Sequence, residues 1–149
     1  MKMLSEPLEI LLVEDNKGDI GLITEFFSDS VIRINLHIAE DGEEAIRFLF
    51  GKDQFSGSPH PDIIILDWNL PKKSGLEVLR EIKANSNLKN IPVIILTTSS
   101  AETDIFRAYE HQANAYLVKP IDFDEFMTVI GSIQDFWFGY VTLPPKHSH

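Results

Sequence analysis

Short apolar runs recur along the chain, and most are too dense to leave one face wet. They are Leu8–Val13, Ile32–Ala39, Ile63–Leu66, Ile91–Leu96 and Ala115–Val118, rich in leucine and β-branched residues. Ile10 to Val13, Ile63 to Leu66 and Val93 to Leu96 contain no polar residue. Uninterrupted runs of strand length mark strands buried on both faces, as in a parallel sheet covered by helices. The second run instead places Ile32, Ile34, Leu36 and Ile38 on alternate positions, which predicts an edge strand with one wetter face.

Between the runs the period becomes helical. Ile20, Ile23 and Phe27 share one face, as do Ala45, Ile46 and Leu49, and Leu76, Leu79 and Ile82. Ile105, Ala108 and Tyr109, and then Phe126, Ile130 and Ile133, repeat the pattern. Asp41 with Glu44, Ser99 with Glu102 and Asp122 with Glu125 each pair a cap residue with a Glu three later, which predicts three helix starts. The order βαβαβαβαβα predicts an α/β fold: a three-layer, doubly wound (βα)5 parallel sheet. Such a sheet binds ligands beyond the carboxyl ends of its strands, where strand order reverses.

The chain of 149 residues reads as one domain, 1–149, with a core over about 8–138. Gly51 to Pro61 reads as an extended loop, 136–145 as an aromatic extension and 146–149 as a frayed tail. The 44% hydrophobic and 24% charged residues are ordinary for a globular protein, so no disulfide or structural metal is needed for a core. The absence of cysteine excludes thiolate metal sites and cysteine nucleophiles and fits a reducing compartment. A net charge of −10, with Lys72-Lys73 the one adjacent basic pair, argues against nucleic-acid binding. The apolar run near the N-terminus is too short for a signal segment or a membrane span, so a cytoplasmic protein is expected.

The topology therefore directs attention to the residues just after each run. Strand one ends in Glu14-Asp15-Asn16, strand three in Asp67-Trp68-Asn69, strand four in Thr97-Thr98 and strand five in Lys119-Pro120. Each has a bland reading: an acidic pair favours a helix N-terminus, Asp67 suits a turn, and Lys119-Pro120 is a turn signal. Together they bring acids, hydroxyls and one lysine to a single edge. Carboxylates crowded there repel one another and raise each other's pKa unless a hard cation joins them. Mg²⁺ suits one or two carboxylates plus a phosphate oxygen. The set thus reads as a site for a metal and, through it, a phosphoryl group.

These residues also carry a resemblance. Glu14-Asp15, the stretch Leu66-Asp67-Trp68-Asn69-Leu70-Pro71 leading to Gly75, Thr97, Tyr116 and Lys119-Pro120 occur in order. Over about residues 8–138 the chain resembles the receiver domains of two-component response regulators, the family that includes CheY. The resemblance implies a flavodoxin-like, CheY-like sheet of strand order 2-1-3-4-5. It makes Asp67 the carboxylate that accepts a phosphoryl group from a sensor histidine kinase. Asp15 would bind Mg²⁺ directly, Glu14 through water, and Asn69 through its backbone carbonyl. Thr97 and Lys119 would contact the phosphoryl group, with Thr98 and Pro120 secondary. Tyr116 would move inward as Thr97 is recruited, changing the face of helix four, strand five and helix five for a downstream protein. The Lys119-Pro120 bond resembles one that is cis in the family, and X-Pro bonds tolerate that form, but the sequence itself leaves the isomer open. The acidic pair is Glu-Asp rather than Asp-Asp, which bears on metal affinity more than on mechanism.

A narrower resemblance rests on the loop ending His60-Pro61, on Lys72-Lys73 and on Phe136 to Pro144. It points to small regulators paired with phytochrome-type kinases. Phe136, Trp137, Phe138 and Tyr140 either fold back over the core or form a homodimer contact near helix five. Trp68 is expected to be partly exposed beside Asp67. The five histidines show no paired ligand spacing outside the tail and read as incidental.

The reading is of a signalling domain rather than an enzyme. The alternative is a Mg²⁺-dependent aspartyl-phosphate phosphatase of the haloacid-dehalogenase type, which wants a second Asp two residues after the nucleophile. Asn69 stands there instead. A flavin-binding domain would want Ser, Thr and Gly after strand one, where Glu14-Asp15-Asn16-Lys17 stands. A degenerate receiver used only for docking would not need the full set of acids, hydroxyl and lysine.

Overall fold

The computed structural model describes residues 6–145; the tail predicted at 146–149, with His147 and His149, lies outside them. The chain alternates β1 (Leu8–Val13), α1 (Lys17–Ser28), β2 (Ile34–Ala39), α2 (Gly42–Leu49), β3 (Ile63–Leu66), α3 (Gly75–Ala84), β4 (Val93–Thr97), α4 (Glu102–Glu110), β5 (Ala115–Val118) and α5 (Phe123–Ile133). All strand pairs are parallel, in the order β2-β1-β3-β4-β5. The chain therefore reverses direction across the sheet between β1 and β3.

The period of two along the strands builds two cores. Leu11, Val13, Ile64, Leu66, Val93 and Ile95 point to one side, where Phe48, Leu49, Val78, Leu79, Ile82 and Ala108 cover them. Ile10, Leu12, Ile63, Ile65, Ile94 and Leu96 point to the other, under Ile23, Phe27, Phe126, Ile130 and Ile133. Every one of these strand residues is at most 1% exposed, which is why the apolar runs are unbroken. The edge strand β2 is half-buried, as its alternation predicted.

Two strands begin later than the apolar runs suggest. Pro92 has no N–H for the ladder, although its carbonyl accepts from Ile64, so β4 opens at Val93. The Ile32 N–H is taken by the Ser30 hydroxyl, and β2 opens at Ile34. Asp41 and Asp122 cap α2 and α5 by accepting from the N–H of Glu44 and Glu125. Ser99 does not cap α4; its hydroxyl donates to Asp104 at 2.6 Å, and Ala101 holds the cap position. The complete capping box instead joins Ser74 and Glu77 at α3.

The predicted loop 51–61 carries a single 3₁₀ turn, Asp53–Phe55, whose Phe55 ring stands 5.4 Å from Phe48. At the C-terminus α5 runs into a π-helical segment, Gln134–Tyr140. The aromatic extension divides. Trp137, Phe138 and Leu143 pack on the α1–α5 core, with Phe138 5.2 Å from Phe27, whereas Phe136 and Tyr140 stay exposed.

Two glycines are dictated by close approach. A Cβ on Gly75 would stand 2.5 Å from the Asp67 carbonyl oxygen and 2.6 Å from the Trp68 Cα; one on Gly42 would stand 2.0 Å from the Lys73 carbonyl oxygen. Helix α3 can thus seat its first turn against the backbone that carries Asp67. Gly21, exposed within α1, meets nothing. Gly75→Ala should therefore cost about 1–3 kcal/mol of stability in denaturant unfolding. Gly21→Ala should add about 0.5–1 kcal/mol through helix propensity. Equal stabilities for the two variants would contradict the packing described.

Candidate functional site

The site lies at the carboxyl ends of β1, β3, β4 and β5, and the sheet's own hydrogen bonds carry its residues. Val13 pairs with Leu66, so Glu14 and Asp67 emerge side by side. The ladder continues one residue further: the Glu14 N–H donates to Ala39, that of Asp67 to Val13 and that of Lys119 to Thr97. Each backbone is thereby fixed before its side chain enters the site.

Glu14, Asp67, Thr97 and Lys119 are all buried, while Asp15 is exposed. Glu14, Asp15 and Asp67 can each offer one carboxylate oxygen, and these oxygens lie within 4.8 Å of one another. Hard oxygen donors in such a group fit a small divalent cation. Lys119 Nζ enters from the β5 side and donates to Glu14 Oε1 at 2.5 Å, Asp19 Oδ2 at 2.8 Å and Asp67 Oδ2 at 3.1 Å. The other oxygen of Asp67 accepts the Asn69 backbone N–H at 3.1 Å. Both oxygens are therefore oriented by fixed donors.

The electrostatics match the donor set. Burial pushes the Glu14 carboxyl up to about 7, with Asp67 adding to the shift and Lys119 and the Asn16 N–H opposing it. Burial alone would lower the Lys119 ammonium, but its bonds to Asp19 and Glu14 and the charge of Asp67 carry it well above the ordinary range. Lys119 is thus a permanent cation. It stands against Glu14, Asp15, Asp19 and Asp67, four carboxylates that it cannot neutralise alone.

The structure brings together Glu14, Asp15, Asp67 and Lys119 as the sequence predicts, with Asn69 exposed at the lip. Thr97 closes the floor, fully buried, and accepts the Ser99 N–H at 3.4 Å; Thr98 is exposed. One expectation changes. Trp68 is 6% exposed rather than partly open, because it joins the core cluster that α2, α3 and α4 cover. Tyr116 already reaches inward, donating its hydroxyl to the Ser99 carbonyl at 2.9 Å, and burial raises its pKa. Every peptide bond among the described residues is trans, Lys119-Pro120 included, in line with the ordinary preference of X-Pro bonds.

Asp19 was not anticipated. It stands in the first turn of α1, three residues after the cap Asn16, whose side chain accepts its N–H. An acid at that place after the cap was the available signal.

The comparisons agree with this geometry. The family model described as response regulator receiver domain matches residues 10–131. Response regulator Rcp1 of Synechocystis is 46% identical over 93% of this chain and 94% of its own length. A crystal structure of the Mn²⁺-bound form of Rcp1 superposes with a TM-score of 0.91 at 45% identity, covering 93% of this chain and all of the other. The phosphorylated cyanobacterial phytochrome response regulator RcpA also gives 0.91, at 41% identity over 94% of this chain and all of its own. Nothing among them supports the haloacid-dehalogenase phosphatase alternative. The chain belongs to the response regulator receiver domain family.

Proposed function

We propose that Asp67 accepts a phosphoryl group from a phosphohistidine on a sensor kinase, with Mg²⁺ held by Glu14, Asp15, Asp67 and the Asn69 carbonyl. The observation that carries this reading is a buried ammonium 3.1 Å from Asp67 Oδ2, beside three carboxylates whose oxygens lie within 4.8 Å. One Asp67 oxygen forms a bond to phosphorus as the donor's P–N bond breaks, its electron pair leaving on the imidazole nitrogen. Held by Glu14, Asp15, Asp67 and the Asn69 carbonyl, the cation would supply charge neutralisation for the incoming phosphoryl group. Lys119 balances the second negative charge that arrives with the group, and the ladder bonds hold Asp67 at a fixed angle of attack. The Thr97 hydroxyl, at the floor, donates to the bound group.

That last contact exists only in the modified protein, so it can shift the population of two conformations. The affected face is α4, β5 and α5, where Phe106, Tyr109, Val118, Ile121 and Phe123 are exposed for a downstream protein. Similarity to RcpA and to the bacteriophytochrome response regulator AtBRR, 36% identical with a TM-score of 0.72, favours a phytochrome-type kinase. The single-domain reading over 1–149, a signalling rather than catalytic role and a cytoplasmic location all fit this function. Among the described residues no helix is long and apolar enough to cross a membrane. Exposed Phe136 and Tyr140 favour a homodimer contact beside α5.

Incubation with acetyl phosphate and Mg²⁺ should add one acid-stable, base-labile phosphate; labelling that survives Asp67→Asn would remove Asp67 from the role. Proton and cation compete for Glu14, so Mg²⁺ affinity measured by calorimetry should tighten as pH rises through about 7. In the metal-free protein the folded state holds that proton while the unfolded chain releases it above 4.5. This contribution to stability therefore falls as pH rises from 4.5 to about 7, and Mg²⁺ should restore it most at the upper end. A Mg²⁺ affinity independent of pH across this range would count against Glu14 as a ligand. Sedimentation should show a lower mass for the double variant Phe136→Ser, Tyr140→Ser than for the parent; equal masses would end the dimer reading.

A further inference from the structure

The three donors of the Lys119 ammonium are matched one to one by Glu14, Asp19 and Asp67. Two of these acceptors leave the sheet at β1 and β3 and are fixed by ladder bonds. The third comes from a different layer. Asp19 belongs to α1, where its N–H is held by Asn16 Oδ1 at 3.0 Å, and its side chain is 24% exposed. It lies outside the group of three carboxylates whose oxygens converge for a cation. Among the described residues its side chain pairs with Lys119 alone.

The distances show why such an anchor matters. Lys119 lies closer to Glu14, at 2.5 Å, than to Asp67, at 3.1 Å. A lysine stem is flexible, so the ammonium goes where its acceptors draw it. With only Glu14 and Asp67 present, the buried Glu14 would draw it deeper and away from the oxygen where chemistry occurs. Asp19, the most exposed of the three acceptors, pulls from the helix side and keeps the buried ammonium in reach of Asp67 Oδ2. We propose that Asp19 is a positioning residue for phosphoryl acceptance: it acts through Lys119, an inference that rests on the reading of Asp67 as acceptor. An acid in a first helical turn also stabilises its helix through the dipole, and the experiment must separate that role.

The test is a double-mutant cycle on the initial rate of phosphate gain from acetyl phosphate with saturating Mg²⁺. Asp19→Ala should slow the wild-type background about tenfold, and the Lys119→Met background by less than about twofold, because the residue it positions is gone. Asp19→Asn keeps an acceptor oxygen in place and should retain the rate within about threefold of wild type. The ¹⁵N signal of the Lys119 ammonium should move in Asp19→Ala and move less in Asp19→Asn. An Asp19→Ala protein labelled at the parental rate, or slowed equally in both backgrounds, would overturn the inference while leaving Asp67 as acceptor. An unmoved ammonium signal would do the same. A wild-type chain that gains no phosphate would overturn both readings together.

Discussion

The structure turns on one buried cation. Lys119 is 8% exposed, and its ammonium stands among Glu14, Asp19 and Asp67 with Asp15 close by. A buried carboxylate without a partner would take up a proton, and a buried lysine without one would lose its own. Here the carboxylates hold the ammonium charged, while Lys119 opposes but does not cancel the burial that pushes Glu14 up, and the sum stays negative. The remaining imbalance is what makes the site receptive to a divalent ion, and through the ion to a phosphate. A neutral, fully paired cluster would be more stable and would bind nothing.

The rest of the fold delivers that cluster. Parallel strands buried on both faces force the chain to leave the sheet at one edge, and the ladder extends one residue past β1, β3 and β5 to Glu14, Asp67 and Lys119. Helix α3 closes on the Asp67–Trp68 backbone because Gly75 has no side chain. Helix α1 brings Asp19 within reach because its cap, Asn16, turns the chain immediately after Asp15. The chemistry depends on short-range geometry, and the geometry is set by backbone bonds rather than by the charged groups themselves.

How much of this was legible in the sequence follows from the kind of force involved. β1 and β3 begin and end where their apolar runs do, since burial on both faces leaves no alternative pattern; β5, a half-buried edge strand, keeps the bounds of its run as well. The starts of β2 and β4 depend on single hydrogen bonds, at Ser30 and around Pro92, and hydrophobic runs do not register those. The acidic pair, Asp67, Thr97 and Lys119 were visible because topology names the position after each strand. Asp19 was hidden because its role depends on how far the side chain of Lys119 reaches. The cap of α4 was misplaced because Ser99 was matched to Glu102, when its hydroxyl is committed to Asp104. Trp68 was misjudged for a related reason: sequence places it beside an exposed loop, but its side chain packs into the core on that side of the sheet.

Ser99 is where the site meets the surface. Its N–H donates to Thr97 Oγ1, its carbonyl accepts the Tyr116 hydroxyl and its own hydroxyl donates to Asp104 on α4. One residue therefore joins the floor of the site to β5 and to the helix beside it. A threonine hydroxyl has a donor side as well as an acceptor side, and Ser99 occupies only the acceptor side. In the proposed reading, a phosphoryl oxygen that drew on the donor side would pull Thr97 toward Asp67 and strain its bond to Ser99, already long at 3.4 Å. The two contacts that Ser99 makes outward are shorter, at 2.6 and 2.9 Å. The short bonds tie the loop to Tyr116 and α4, so in that reading a change at Thr97 would reach the surface as a displacement of that unit rather than of a single side chain.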